Sequence, residues 1–141
     1  MQKMRSPDEL VEAIVGYSAD RQGRGIAYAR VTGARARQIL RVAFRVNVPA
    51  PFPDRAVGYA ALTAVTRVLG KRGVREVRFI LGDADFVAEI ASGRGIADAL
   101  ALPYVHLRCA LNALAKFAVQ VEPTDDLTQR AQAEVALNVA A

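Results

Sequence analysis

The chain has 141 residues, of which 52% are hydrophobic and 23% are charged, so one domain over residues 1–141 with a proper core is expected. No apolar run approaches the roughly 18 residues needed to cross a bilayer, and the N-terminus lacks the apolar segment of a signal peptide. The net charge of +5 favours a polyanionic partner such as nucleic acid, although arginine-rich proteins that bind no polyanion are also basic.

Three strands joined by tight turns are predicted in the first third of the chain. The sequence Ser6–Glu9 could cap a short helix, but the apolar run from Val11 to Tyr17 favours a strand. A second strand is predicted from Ile26 to Val31. The third, Gln38 to Val48, alternates apolar and polar residues as a half-buried antiparallel strand does. Short connections make the three an antiparallel meander, which the prolines of residues 49–53 end.

Helices and single strands alternate in the rest of the chain. The predicted elements are a helix capped by Asp54 and running to about Gly70, a strand from Arg75 to Gly82, a short helix from Phe86 to Ala91, a long helix from Leu100 to Leu114, a strand from Ala118 to Glu122, and a final helix capped by Thr124. Strands separated by helices are usually parallel. The sequence therefore predicts an α/β fold in which one mixed sheet carries helices on its faces.

Two segments carry specific residue patterns: residues 58–62 are GYAAL, and residues 80–87 are ILGDADFV. They resemble two motifs of the ribonuclease H family, especially its small reverse-transcriptase-like branch: glutamate-Tyr-x-Ala-Leu in the first helix and Asp-Ser-x-x-Val at a strand end. The resemblance extends from about Val11 to Ala141. It implies a five-stranded mixed sheet in the order 3-2-1-4-5, flanked by helices. It also implies an activity, since family members cut the RNA strand of RNA/DNA hybrids with about four carboxylates that hold two Mg²⁺ ions.

The resemblance places the four catalytic carboxylates at positions where this chain has few acids. Gly16 and Gly58 stand at the first two positions, and Asp83 keeps the third. The fourth falls nearest Gln132 or Glu134, depending on the register. The resemblance thus implies a degenerate site whose remaining catalytic candidates are Asp83 and Glu134. It implies that the domain needs no cofactor, or that it uses Mg²⁺ or Mn²⁺ if any nuclease activity persists.

The same positions also have structural interpretations. Glycine within a helix costs about 1 kcal/mol relative to alanine, so close packing is the simpler explanation of Gly58. Asp83, at a strand end, can cap the following helix. A rebuilt metal site made of Asp83, Asp85 and Glu134 is the alternative, although Asp85 is expected to face solvent. The pair Asp125–Asp126 is expected to serve the N-terminus of the last helix.

Arginine side chains are the candidate ligands for nucleic acid. Some project from neighbouring strands, where they are expected to form a patch on an open sheet face, and the others lie in turns. The candidates are Arg21, Arg24, Arg30, Arg41, Arg45 and Arg72. Few aromatic residues are interleaved to stack bases, so a solvated charged face is the alternative.

The only histidine and the only cysteine lie in the long predicted helix. His106 has no second histidine or cysteine motif near it, so a surface histidine is expected rather than a zinc ligand. Cys109 is predicted to be a small, inert core residue, and as a lone cysteine it indicates a reducing cytoplasm.

Three functions remain possible from the sequence. The first is a ribonuclease H-like domain that binds nucleic acid, an RNA/DNA hybrid or RNA, without cleaving it. The second is an active Mg²⁺- or Mn²⁺-dependent ribonuclease with displaced ligands around Asp83. The third is a structural module or homodimer that meets a protein partner.

Overall fold

The computed structural model describes residues 10–140, except for the side chains of residues 139 and 140. The capping sequence Ser6–Glu9 lies outside the described residues. The elements, in chain order, are β1 (Leu10–Ala19), β2 (Arg24–Thr32), β3 (Arg37–Arg45), α1 (Asp54–Lys71), β4 (Glu76–Leu81), α2 (Ala84–Ser92), a 3-10 turn (Asp98–Leu100), α3 (Ala101–Asn112), β5 (Lys116–Val121) and α4 (Asp125–Ala140).

The five strands form one mixed sheet in the order β3-β2-β1-β4-β5. β2 pairs antiparallel with both β1 and β3, whereas β4 pairs parallel with both β1 and β5. The fold class and the strand order implied by the resemblance are therefore confirmed. Because β1 and β4 are parallel, both end on the same side of the sheet, which is called the carboxyl edge below. The β1–β2 turn and the end of β3 lie there too.

The alternation of side chains divides the core between the two faces of the sheet. Val11, Ala13 and Val15 of β1 point toward α1, α2 and α3, where they join the larger apolar cluster. On the opposite face, α4 packs on β1 and β2 through a smaller cluster. That cluster consists of Ile26, Tyr28, Leu127, Ala131 and Val135. The four-residue spacing of the last three puts them on one side of α4.

The start of α1 and the end of β3 differ from the prediction. Pro53, with ψ of 152°, is the N-cap of α1, and no side chain bonds to that end of the helix, so the predicted capping role of Asp54 is wrong. Asp54 instead lies in the first turn. β3 ends at Arg45 rather than Val48 because its partner strand begins at Arg24. The next amide, of Val46, donates to the carbonyl of Gly23 at 2.7 Å in the adjoining turn.

The only histidine and the only cysteine both lie on the exposed side of α3. His106 is exposed, as predicted. The prediction that Cys109 is a core residue is wrong, because its side chain is exposed. The buried side of α3 is formed by Leu107 and Leu111, and Cys109 lies two residues from each, about 200° around the helix. Among residues 10–140, no helix is long and apolar enough to cross a membrane.

Candidate functional site

Asp83 follows β4 at the carboxyl edge and is the N-cap residue of α2. Its Oδ1 accepts a hydrogen bond from the backbone N–H of Phe86 at 3.1 Å. A bond of this kind satisfies one of the helical N–H groups that have no partner within the helix. The predicted capping role of Asp83 is therefore confirmed. Asp85 is exposed in the first turn of α2, where negative charge is favourable.

Gly58 is buried in α1, and aromatic side chains fill the space beside it. A β-carbon built on Gly58 would lie 2.8 Å from the hydroxyl oxygen of Tyr17 and 2.8 Å from Cε2 of Phe86. Real β-carbons essentially never make contacts this short. The close-packing interpretation of Gly58 is therefore confirmed, and its neighbours are a β1 side chain and an α2 side chain.

Tyr17 stands between Gly58 and Asp83, a position that the sequence analysis did not assign to it. Ile14 of β1 pairs with Ile80 of β4, and Tyr17 and Asp83 each come three residues later in the chain. The two residues therefore lie at the same height along the strand direction. Burial, followed by the nearby charge of Asp83, raises the pKa of Tyr17 to about 12. The phenol is therefore neutral at physiological pH. Tyr17 and Val15 are both odd-numbered residues of β1, so their side chains lie on the same face of the sheet. This alternation is the signal in the sequence that could have placed Tyr17 on the side of Gly58.

Gly16 lies on the opposite face of the sheet from Tyr17, against the first turn of α4. A β-carbon there would lie 2.4 Å from the backbone nitrogen of Thr128 and 2.6 Å from the backbone carbonyl carbon of Leu127. Backbone atoms cannot move aside as a flexible side chain can, so a carboxylate at this position would displace α4. The structure does not bring Gly16 and Gly58 to a common site.

Glu134 lies over β2 and β3. It accepts hydrogen bonds from the hydroxyl of Tyr28 and from Nε of Arg41, the latter at 2.7 Å. These bonds hold the pKa of Glu134 below its ordinary value, and the bond from Arg41 has the largest effect. β1 separates β2 from β4, and strands are about 4.8 Å apart, so Glu134 and Asp83 are not neighbours. Gln132, which stands at the fourth catalytic position in the other register, is exposed on α4.

A second group of polar side chains, also missed by the sequence analysis, joins α1 to α2 beside Gly58. Nη1 of Arg55 donates to Glu89 at 2.9 Å, and the hydroxyl of Tyr59 donates to the other oxygen of the same carboxylate. The Arg55 guanidinium also lies 5.5 Å from the centre of the Phe86 ring. Burial, and then the bond to Glu89, raises the pKa of Tyr59. This group places a fixed cation and its partner acid next to the Gly58 position.

The donor groups do not fit the pair of Mg²⁺ ions that the resemblance implies. Two divalent ions held 3.5–4 Å apart require several oxygen ligands directed at one point. Over the described part of the chain, no three acidic, histidine or cysteine side chains come together in a group that could hold a metal. Asp83 caps α2, and Glu134 is bound by Arg41, which lies on β3.

Three of the six candidate arginines pair with acids of the same chain. Arg24 binds Asp20 at 3.0 Å, Arg30 binds Asp126 at 2.6 Å, and Arg41 binds Glu134. Arg30 and Arg41 thus contact α4, so the sheet face predicted to be open is partly covered by that helix. Asp126 also lies in the first turn of α4 with Asp125, as predicted.

The other three candidates, Arg21, Arg45 and Arg72, are exposed, and no ion pair within residues 10–138 includes them. Arg21 lies in the β1–β2 turn, and Arg45 is directly opposite Arg24 across the strand pair. The structure therefore brings Arg21, Arg24 and Arg45 together at the carboxyl edge. Arg72 follows α1 and precedes β4, so it lies at the other end of the sheet.

Solved structures share this arrangement over nearly the whole chain. The N-terminal RNase H domain of a Mycobacterium tuberculosis protein, solved as a fusion with maltose-binding protein, superposes with a TM-score of 0.70 at 15% identity, covering 94% of this chain and 99% of that one. RNase H1 from the halophilic archaeon Halobacterium salinarum superposes with a TM-score of 0.69 at 14% identity, covering 92% and 98%. The chain has a ribonuclease H-like fold.

A third similar structure is that of LC11-RNase H1, which was solved in complex with an RNA/DNA hybrid. Its TM-score is 0.62 at 10% identity, with 93% of this chain and 99% of that chain covered. No protein-family model and no curated protein matches the sequence. At identities this low, the similarity extends to the fold, and the chemistry must be argued from the residues of this chain.

Proposed function

We propose that this ribonuclease H-like domain binds nucleic acid, with an RNA/DNA hybrid as the first candidate, and does not cleave it by a two-metal reaction. The observation that carries the proposal is the packing at Gly16 and Gly58. At Gly58, where the resemblance puts a catalytic carboxylate, a β-carbon would lie 2.8 Å from the Tyr17 hydroxyl and from the Phe86 ring, and at Gly16 it would meet the backbone of α4 on the opposite face of the sheet. The domain keeps the architecture of a hybrid-cutting fold without its set of metal ligands.

The arginines at the carboxyl edge support a polyanionic ligand. Arg24 and Arg45 are directly opposite each other on adjacent strands, and like charges in such pairs are destabilising. Among the described residues, Asp20 pairs with Arg24 only, so the Arg45 charge is available for another anion. Arg21 lies in the turn beside them. A phosphate backbone along this edge would relieve the repulsion and release counterions.

No resident cofactor is part of this proposal. Mg²⁺ or Mn²⁺ belongs to the competing hypothesis, in which Asp83 and Asp85 form part of a rebuilt metal site. Glu134 cannot be its third ligand in this arrangement, because its carboxylate is bound by Arg41 and Tyr28. A cytoplasmic location, inferred from the single cysteine, goes with the same proposal.

The deciding experiment measures cleavage of a labelled RNA/DNA hybrid in Mg²⁺ and then in Mn²⁺. Wild-type protein is compared with Asp83→Asn, which keeps a capping residue but removes the carboxylate. We expect no cleavage by the wild type above the level of the variant. Cleavage by the wild type that the variant loses would establish a rebuilt metal site and overturn the proposal. A stable dimer in analytical ultracentrifugation, without affinity for hybrid or RNA, would instead support the interaction module.

A further inference from the structure

A cleft of about 230 Å³ lies between the end of β3, one side of α1 and the start of α3. It is separate from the position that the resemblance assigns to catalysis. Arg67, which lines the cleft, lies nine residues after Gly58, which is about two and a half helical turns. The cleft therefore faces the side of α1 opposite Gly58.

The rim of the cleft is cationic. Arg45, Arg67 and His106 line it and are exposed, and none of its lining residues is acidic. Within residues 10–138, neither arginine takes part in an ion pair. Two guanidinium groups at one small cleft, neither paired with an acid of the described chain, favour an anionic ligand.

Thr63 lines the interior of the cleft and supplies a second, independent indication. Its exposed fraction is only 8%, yet its hydroxyl makes no hydrogen bond to any described residue. The hydroxyl of the nearby Thr66, by contrast, donates to the carbonyl of Leu62 at 2.7 Å. Buried polar groups are almost always hydrogen-bonded. A ligand oxygen in the cleft would supply the acceptor that the protein lacks.

Apart from the amide of Asn47, the rest of the lining is largely apolar. Ala56, Ala60 and Ala64 recur every fourth residue along α1 and form a shallow floor, while Phe44 and Val46 belong to the end of β3 and the residues after it. Small side chains on the helix are what leave the cleft open. The ligand should therefore combine an anionic group, held at the rim, with a compact apolar part.

We propose that this cleft binds a small phosphate monoester, for which a nucleoside monophosphate is the probe. Guanidinium groups match the oxygens of phosphate, and a monoester carries nearly two negative charges at neutral pH. The volume is below the range of about 300–1,000 Å³ that is usual for ligand pockets, so it admits a small molecule and excludes a duplex. The site is distinct from the nucleic-acid surface proposed above, with which it shares only Arg45.

The test is isothermal titration of the full chain with adenosine 5′-monophosphate, and with adenosine as the uncharged match. Two variants remove cleft contacts, Arg67→Gln and Thr63→Val, and Arg72→Gln removes an equivalent charge at the far end of the sheet. We expect the monophosphate to bind at least about tenfold more tightly than adenosine. Arg67→Gln and Thr63→Val should each weaken it by about tenfold or more, whereas Arg72→Gln should not change the affinity.

Thr63→Val also separates a binding role from a structural one. Because the hydroxyl has no partner in the described chain, the variant should melt at the same temperature as the wild type or higher. A lower melting temperature with unchanged monophosphate affinity would overturn the proposal. So would equal binding of adenosine and the monophosphate, no binding at about 1 mM, or equal losses in Arg67→Gln and Arg72→Gln. Arg67→Gln should leave hybrid affinity unchanged, so a failure here is distinct from a failure of the proposed function.

Discussion

Gly58 and Gly70 lie in the same helix, α1, but differ in what surrounds them. A β-carbon on Gly58 would lie 2.8 Å from both Tyr17 and Phe86, whereas one on Gly70 would meet nothing within 4 Å. Helix propensity alone favours alanine over glycine at both positions by up to about 1 kcal/mol. The surrounding packing is therefore the main difference between the two glycines.

We expect Gly58→Ala to lower the free energy of unfolding by about 1–3 kcal/mol, because the new methyl group overpacks the core between α1, β1 and α2. Gly70→Ala should instead raise it, by up to about 1 kcal/mol. Urea denaturation of the two variants checks both values. Equal stabilisation by the two substitutions would show that Gly58 has room for a side chain, and would remove the main support for a lost catalytic acid.

Asp83 connects a strand to a helix, and its carboxylate contributes by capping α2. We expect Asp83→Ala to reduce the free energy of unfolding by about 1 kcal/mol, and Asp83→Asn to reduce it much less, since asparagine caps a helix almost equally well. The measurement is urea denaturation, repeated with Mg²⁺ and with EDTA. Because the cap requires no ion, the results should not depend on magnesium. A loss for both variants that appears only with Mg²⁺ would indicate a metal ligand.

The attachment of α4 to the meander depends partly on the ion pairs of Glu134 and Asp126, and it should therefore depend on pH. Bonds from Arg41 and Tyr28 hold the pKa of Glu134 below its ordinary value of 4.5, so above that value the folded state gains stability from the carboxylate. The gain is lost as the pH falls through the lowered pKa, because the unfolded chain binds the proton more readily. The stability difference between wild type and Glu134→Gln should accordingly be largest near pH 7 and shrink below about pH 4.

The pair between Arg30 and Asp126 is the control for this pH dependence. The side chain of Asp126 is 63% exposed and that of Glu134 is 22% exposed, so solvent screens the first pair more strongly. Asp126→Asn should therefore change the stability at pH 7 less than Glu134→Gln does. Chemical denaturation at several pH values measures both. A larger effect of Asp126→Asn would mean that α4 is held mainly at its N-terminus.

For the molecule as a whole, the proposed ligand must be held mainly through its phosphates. Each phosphate contact lowers the logarithm of the affinity by about 0.9 per tenfold increase in salt on a B-form duplex. Fluorescence anisotropy with a labelled hybrid should give a slope of about −2 to −3 if Arg21, Arg24 and Arg45 all make contacts. Arg21→Gln should reduce the steepness by about one contact, and Arg72→Gln should leave it unchanged. A salt-independent affinity, or equal effects of the two variants, would contradict a surface at the carboxyl edge.

Much of the architecture could be predicted because it depends on local periodicity. The alternation along β3 and the three- and four-residue spacings in α3 each indicate an element without reference to any other part of the chain. Errors arose where a neighbouring segment decides the outcome. β3 stops at Arg45 because β2 begins opposite it, and Cys109 is exposed because Leu107 and Leu111 already face the core.

The sequence by itself determined the order of the elements and the mixed sheet, because these follow from local pattern and residue identity. Only the tertiary structure decided which groups meet. Tyr28 and Glu134 are 106 residues apart in the chain, and Arg30 and Asp126 are 96 apart. The contacts of Tyr17 with α1 and of Gly16 with α4 also join segments that are distant in the chain. The position of Thr63 in the lining of a cleft likewise depends on how distant segments pack. Such contacts depend on how whole helices pack on the sheet, and no local pattern encodes that packing.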